Sequence, residues 1–463
     1  MSPHSAVQPT SQAARALFLV SGLLALGLGG CSATARILGS PPVDLPLPEK
    51  VEVAFNQRAD RHYRSPISGE RRRGDDLEQL LLETIERAES DILVAVQELS
   101  LPRVAEALAK RKRQGLRVRV ILENTYSTPF SEQLPVGLSS HQLGRYRQLL
   151  ALADTDHDGR LSASERDRGD AVRILQRGGI PLIDDTADGS AGSGLMHHKF
   201  MVVDQRWLVT GSANFTPSCI HGDPDDRRTL GNVNHLLRFE SRELSALFSK
   251  EFTRMWGDGP GGLADSRFGI AKEEGPVQAV MVGPTRVEVL FAPHRRKDPN
   301  QGLLLLDQRL ALARRRLDLS LFVFSAQGLA NRLAELQQRG VAIRLLADPG
   351  FASRSFSEVL DLLGVSMPDR FCKLEQDNSP WQQPNKGVGT PRLARGDKLH
   401  HKFAVVDGKT VITGSFNWSP SAAHGNDETL MIVESPQLAA HFGLPEDLQT
   451  ACSAVDLGTS MAV

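Results

Sequence analysis

Leu195-Met-His-His-Lys-Phe-Met-Val-Val-Asp204 returns as Leu399-His-His-Lys-Phe-Ala-Val-Val-Asp407. Each copy runs on into Thr-Gly-Ser-x-Asn, at 210–214 and at 413–417. His197, Lys199, Asp204, Gly211, Ser212 and Asn214 match His400, Lys402, Asp407, Gly414, Ser415 and Asn417 at one constant offset, with no gap. Apolar packing does not call for His, Lys and Asn at these spacings. A chain carrying the pattern twice reads as two similar halves in tandem, with a site where they meet.

The sequence around the motifs alternates strand and helix patterns. In the first half, 51–56, 91–97 and 116–123 are rich in apolar and branched residues and predict strands. Stretches 75–89 and 104–115 space their apolar residues as helices do. The second half repeats the order: strand 287–291, helix 304–316, strand 317–325, helix 329–340, strand 341–347. The expected fold is α/β, with two pseudo-twofold-related halves built on mixed sheets flanked by helices. The halves fall at 51–257 and 285–445. The Gly259-Pro-Gly-Gly262 region makes 258–284 the linker, and 446–463 the tail.

Composition narrows the partners. Formal charge is −1, so no global basic field advertises nucleic acid. Aromatics are 5% of residues, few for a platform that stacks bases. At the N-terminus, Arg15 precedes an apolar run over 16–28 that ends in Gly29-Gly30-Cys31. This pattern reads as a secretory signal over 1–30. Cys31 after small residues resembles the lipobox of bacterial lipoproteins, which implies cleavage before Cys31 and a lipid on its thiol. The proline-rich stretch 31–50 then serves as a tether from membrane to domain. The expected location is outside the cytoplasm, anchored on the periplasmic or cell-surface side. Cys219, Cys372 and Cys452 remain, an odd number that excludes a disulfide framework but leaves one bridge open.

An insertion over 125–170 interrupts the first half. It contains Asp154-Thr-Asp-His-Asp-Gly-Arg-Leu-Ser-Ala-Ser-Glu165, which fits the twelve-residue EF-hand calcium loop. Asp154, Asp156 and Asp158 would supply carboxylates, Gly159 the sharp turn, Arg160 its backbone carbonyl, Ser162 a water-bridged position and Glu165 a bidentate carboxylate. Helices over 142–153 and 163–176 would flank the loop. A single EF-hand lacks its usual pairing partner, which favours a structural role over sensing.

The paired motif resembles the HKD signature of the phospholipase D superfamily, and the likeness extends over roughly 51–440. That resemblance implies that one histidine attacks phosphorus to give a phosphohistidine. The other protonates the departing alcohol and later deprotonates water, with no metal required. Family precedent assigns attack to the first motif, hence His197. Physical chemistry supports the array: Lys199 and Lys402 can neutralise a phosphodiester, and Asn214 and Asn417 can donate to its oxygens. Ser212 and Ser415 are expected beneath the phosphate. Asp204 and Asp407, grouped with the catalytic set by the motif, follow strands and are expected to fix turns or form ion pairs. His198 and His401 alternate to the opposite strand face and read as packing residues. After each Gly-Ser-x-Asn, family members carry an acidic or amide residue that orients a histidine. Gly425-Asn-Asp-Glu-Thr-Leu430 places Glu428 there, and Gly231-Asn-Val-Asn-His-Leu236 places Asn234. If they reach across the interface, Glu428 supports His197 and Asn234 leaves His400 as the acid.

Three functions compete at this point. The first is a phospholipase-D-type enzyme acting on phospholipids. The second is an extracytoplasmic nuclease built on the same site. The third is a non-catalytic calcium-binding surface protein. Both histidines lie in one polypeptide, so a monomer would suffice.

Overall fold

The computed structural model describes residues 45–444, apart from 134–136, 191–193 and 376, together with the backbone of Cys452–Ser453. The leader, Cys31, the tether as far as residue 44 and the rest of the tail lie outside the described residues. A seven-stranded sheet carries the first half. Its order is Val51–Phe55, His235–Glu240, Trp207–Gly211, Lys199–Val203, Asp91–Val96, Arg117–Leu122, Leu182–Asp184. In the second sheet Thr285–Ala292, Glu428–Glu434, Thr410–Gly414, Lys402–Val406, Arg316–Leu321, Ala342–Ala347 and Val388–Pro391 follow the same order. Gln278–Val282 and Cys452–Ser453 add a strand at either edge. Both sheets are mixed: the last three of the seven shared strands run parallel and the others antiparallel.

Alternation along the motif strands explains the layering. Phe200 and Val202 point into one apolar core shared with Phe403, Val405, Val411 and Met431 of the second sheet. Met201 and Val203 point the other way, into a core beneath the helices Leu77–Glu86 and Pro102–Arg113. Ala404 and Val406 do the same in the second half. Each motif strand is therefore buried on both faces, and its residues read as an unbroken apolar run. Asp76 caps the first helix by accepting from Gln79 N at 3.1 Å, and Leu77, Leu80, Leu81 and Ile85 bury one stripe of it. Each such buried side chain contributes roughly 1.5–3 kcal/mol.

Several expectations change. The helix placed at 304–316 ends at Leu310, because a turn then leads into the strand Arg316–Leu321. That strand stops at Leu321 rather than 325, and the chain beyond it bends into the site. The linker is shorter than 258–284, since Gln278–Val282 already pairs with Thr285–Ala292. The helix placed at 163–176 is two helices, Ala163–Gly169 and Ala171–Arg177. Asp170 breaks it by taking the N–H groups of Val172 and Arg173 on its own carboxylate, an N-cap that starts a new helix. Among the described residues no helix is long and apolar enough to cross a membrane. Cys219 and Cys372 carry free thiols.

Candidate active site

The two motifs meet by exchanging backbone hydrogen bonds between halves. His197 N donates to Asp427 O at 2.9 Å, and Asp427 N donates to Leu195 O at 2.9 Å. Reciprocally, His400 N donates to Val233 O at 3.0 Å, and Val233 N donates to Lys398 O at 2.7 Å. Each histidine thus hangs from the backbone just before the other half's orienting residue. Glu428 Oε2 lies 2.8 Å from His197 Nδ1, and Asn234 Oδ1 lies 2.9 Å from His400 Nδ1. This is the cross-interface pairing expected from the sequence asymmetry.

The surrounding bonds set the tautomers. Asn234 Nδ2 donates to the carbonyls of Cys219 and Asn232, which turns Oδ1 toward His400. His400 Nδ1 must then donate. An ionised Glu428 can only accept, so His197 Nδ1 donates as well. Both Nε2 atoms are left for chemistry. Ser212 Oγ donates to Asn234 Oδ1 at 2.8 Å, and Ser415 Oγ donates to Glu428 Oε2 at 2.6 Å. The serines therefore hold the orienting residues and do not face a phosphate, which corrects their expected role as substrate ligands. The glycines before them are also explained. A Cβ on Gly211 would lie 2.3 Å from His235 O, and one on Gly414 2.2 Å from Thr429 O.

Lys199 Nζ donates to His197 O at 2.7 Å and to Gln97 Oε1 at 3.3 Å. Lys402 Nζ donates to His400 O at 2.7 Å and sits 4.9 Å over the Phe322 ring. Asn214 Nδ2 donates to Gln97 Oε1 at 3.2 Å. Oδ1 of Asn214 and of Asn417 is buried with no hydrogen-bond partner among the described residues. These oxygens can only accept, so a phosphate oxygen would have to be met by the Nδ2 side of each amide.

Electrostatics points the same way. Burial, then Lys199 and Lys402, holds His197 well below its ordinary value, and burial with the same lysines does so for His400. Burial lowers Lys199 to about 8 and drives Lys402 well below its usual range. Burial also pushes the Glu428 carboxyl up to about 7, opposed by Lys199, Ser415 and Asn426. Four groups able to carry positive charge share a buried pocket with one carboxylate. A bound anion would favour the charged forms of the two lysines and of one histidine, leaving the other histidine neutral.

Asp204 and Asp407 are not in this site, a correction to their place in the catalytic set. Val96 pairs with Lys199 at one end of the strand pair, whereas Asp204 lies beyond Val203 at the other. Its carboxylate accepts from the N–H groups of Glu89, Ser90 and Asp91. Asp407 does the same for Arg314, Arg315 and Arg316. They fix turns through backbone donors. His198 contacts Thr429 Oγ1 at 2.8 Å, and His401 contacts His235, both in the inter-sheet core. Gln97, Phe322 and Asn426 were missed by sequence reasoning. Gln97 and Phe322 occupy matching positions one residue past equivalent strands, the signal that could have found them. Asn426 Nδ2 donates to Glu428 Oε1 at 3.3 Å.

Two acidic clusters invite a metal. His198, Glu251 and Asp427 converge, but the Lys272 ammonium fills the space, pairing with Glu251 and lying 2.6 Å from Asp427. In the insertion, carboxylate oxygens of Asp154, Asp156 and Asp158 lie within 4.8 Å of one another. Asp154 Oδ1 is buried without a partner, while its other oxygen takes Gly159 N at 3.0 Å. Gly159 adopts φ +78°, which the turn requires. Glu165 stands apart from these three and caps the loop: Oε1 accepts from Thr155, and Oε2 from Ser162 N and Oγ. Those bonds hold its carboxyl well below the usual range. Arg160 N donates to Asp158 Oδ1 at 2.8 Å. The three aspartates and the orphaned oxygen fit a hard divalent cation.

Residues 81–256 and 306–443 match the family described as "Cardiolipin synthase, PLD-like domain", which covers more than half of the chain. The chain belongs to this PLD-like family. Its relatives include the mitochondrial cardiolipin hydrolase of Danio rerio, 28% identical over 39% of this chain and 72% of that protein. The Homo sapiens protein of the same name is 31% identical over 30% of this chain and 48% of that protein. A phospholipase D of Rickettsia typhi is 28% identical over 29% and 56%. Beyond the Danio rerio protein, the chain spans about half the length of these relatives. The phosphatidylserine synthase of Haemophilus influenzae Rd KW20 superposes with a TM-score of 0.52 at 12% identity, covering 87% of this chain and 86% of that one. At that identity the likeness is one of fold. The Danio rerio, Homo sapiens and Rickettsia typhi relatives carry hydrolase names, cardiolipin hydrolase and phospholipase D, and paired motifs across mixed sheets are the architecture found here.

Proposed function

We propose that the chain is a metal-independent phospholipase-D-type hydrolase that cleaves phospholipid phosphodiesters. The observation carrying this reading is the crossed support of the histidines, a carboxylate on His197 and a neutral amide on His400. His197 Nε2 attacks phosphorus as the bond to the leaving oxygen breaks and His400 Nε2–H gives that oxygen its proton. The phosphorylated imidazole is cationic, and Glu428 stabilises it; His400 has no counter-ion and releases its proton readily. His400 then takes a proton from water, the oxygen attacks phosphorus, and the bond to His197 breaks. Lys199, Lys402, Asn214 and Asn417 hold the non-bridging oxygens throughout. These proton transfers require no metal.

Substrate class is supported by the lipid-acting names of the relatives and by the near-zero net charge. Lipidation of Cys31 would anchor the enzyme outside the cytoplasm beside such a substrate. One chain carries both motifs, so a monomer suffices. Asp154, Asp156 and Asp158 would hold Ca2+ with the Arg160 carbonyl, and Glu165 would join on turning from its capping bonds. The ion would stiffen the insertion and take no part in turnover. The test is purified protein against phosphatidylcholine, phosphatidylglycerol and plasmid DNA, with and without EDTA. Lipid turnover that survives EDTA supports the reading. Cleavage of DNA alone replaces it with the nuclease, and inactivity on all three leaves a calcium-binding surface protein.

A further inference from the structure

The two flanks of the site are chemically unlike. On the first half, Gln97 holds Lys199 and Asn214, and Glu98 pairs with Arg145 of the insertion at 2.8 Å. On the second half the matching position is Phe322, whose ring lies 4.7 Å from that of His400. Phe351 packs edge-on against Phe322 at 4.6 Å, and Phe356, 38% exposed, extends the wall outward. The wall flanks His400, the proposed general acid, and on that proposal would face the group that departs.

An aromatic wall beside a phosphate usually invites a quaternary ammonium. Here the protein's own cations already cover these rings. Lys402 Nζ lies 4.9 Å over Phe322, and exposed Lys398 Nζ lies 5.7 Å from Phe322 and 6.0 Å from Phe351. Lys398 makes no salt bridge among the described residues. The neighbouring carboxylates take their hydrogen bonds from backbone: Asp348, which feels the Lys398 charge through space, accepts from Gly350, Phe351 and Leu399 N, and Asp397 from Leu230 and Gly231 N.

We infer that Phe322, Phe351 and Lys398 form a leaving-group subsite that selects against cationic headgroups and favours neutral or anionic polyol headgroups. A choline group placed there would meet the exposed Lys398 ammonium, and the Lys402 ammonium once a bound phosphate charges it, where it needs bare aromatic faces. A glycerol headgroup, or one carrying a further phosphate, packs its carbons on the rings and gives its oxygens to Lys398. The inference rests on the phospholipid reading above and names the headgroup within it.

The test uses the full chain with phosphatidylglycerol and phosphatidylcholine of identical acyl chains in neutral detergent micelles, and compares kcat/KM. Wild type should prefer phosphatidylglycerol by about tenfold or more, the scale of one screened like-charge contact. Lys398→Glu, on an exposed side chain, should cut that ratio about tenfold, and Phe322→Leu should lower kcat/KM for both lipids. Any general effect of Lys398 on His400 moves both substrates together and cancels in the ratio. Equal use of both lipids by wild type, or a ratio unmoved by Lys398→Glu, overturns the inference while leaving the lipase reading intact. If neither lipid is cleaved but plasmid DNA is, the lipid reading falls and the headgroup assignment falls with it.

Discussion

Replacing Glu428 with glutamine isolates the charge on the proposed nucleophile's support. The carboxylate accepts from His197 Nδ1 at 2.8 Å, Ser415 Oγ at 2.6 Å and Asn426 Nδ2 at 3.3 Å. Glutamine keeps an acceptor oxygen, as Asn234 already does for His400, so the imidazole stays oriented. What disappears is the attraction between the carboxylate and the cationic phosphohistidine. Two unit charges about 5 Å apart at an effective dielectric near 20 attract by about 3 kcal/mol. Formation of the intermediate should therefore slow by roughly a hundredfold. Stopped-flow release of p-nitrophenol from a p-nitrophenyl phosphodiester measures that step. The acid limb of kcat/KM near pH 7, where Glu428 titrates, should flatten in the variant. Stability should move with opposite sign. Burial raises the folded-state carboxyl from 4.5 to about 7, so its contribution to stability is greatest at low pH and is lost as pH climbs through about 7. Glutamine carries no such dependence. Relative to wild type, the variant should gain up to about 3 kcal/mol between pH 4 and pH 8, read from denaturant melts. A wild-type burst rate in Glu428→Gln, or a stability difference that runs the other way with pH, refutes the assignment.

His400→Asn should release a burst of nitrophenol and then trap phosphoenzyme on His197, because a good leaving group needs no acid but water still needs its base. His197→Asn should show neither, and an adduct found on His400 would reverse the roles. Adding Ca2+ to chelated protein should raise its melting temperature while kcat at a temperature where the apo form stays folded is unchanged; Asp154→Asn should abolish the rise. Asp204→Asn should cost about 2 kcal/mol by weakening its charge-assisted bonds to three backbone N–H groups, with kcat intact. A large loss of kcat in the folded variant would return Asp204 to the catalytic site. Cys31→Ser should leave the protein unlipidated and released from membranes, detectable by fractionation and mass spectrometry.

The repeated motif exposed the two halves, their pseudo-twofold relation and the identities of both histidines, because a strict residue pattern repeated in one chain is visible without coordinates. The buried strands were equally legible: alternating residues feed different cores, and both cores demand apolar side chains. What the linear chain could only suggest was which orienting residue serves which histidine. That depends on the backbone exchange of Leu195 and His197 with Asp427, and of Lys398 and His400 with Val233, contacts between segments far apart in sequence. The roles of Ser212 and Ser415 were misread for a related reason, and so was the motif's grouping of Asp204 and Asp407 with the catalytic residues, although their turn-fixing role was foreseen. A motif records that residues occur together but not which way each points, and strand alternation with a chain reversal sends Asp204 to the far end of the strand from His197. Gln97 and Phe322 lie outside the motif, so nothing in the repeat marked them. Only the tertiary structure set one beside Lys199 and the other beside His400, making the two flanks of a near-symmetric site chemically different.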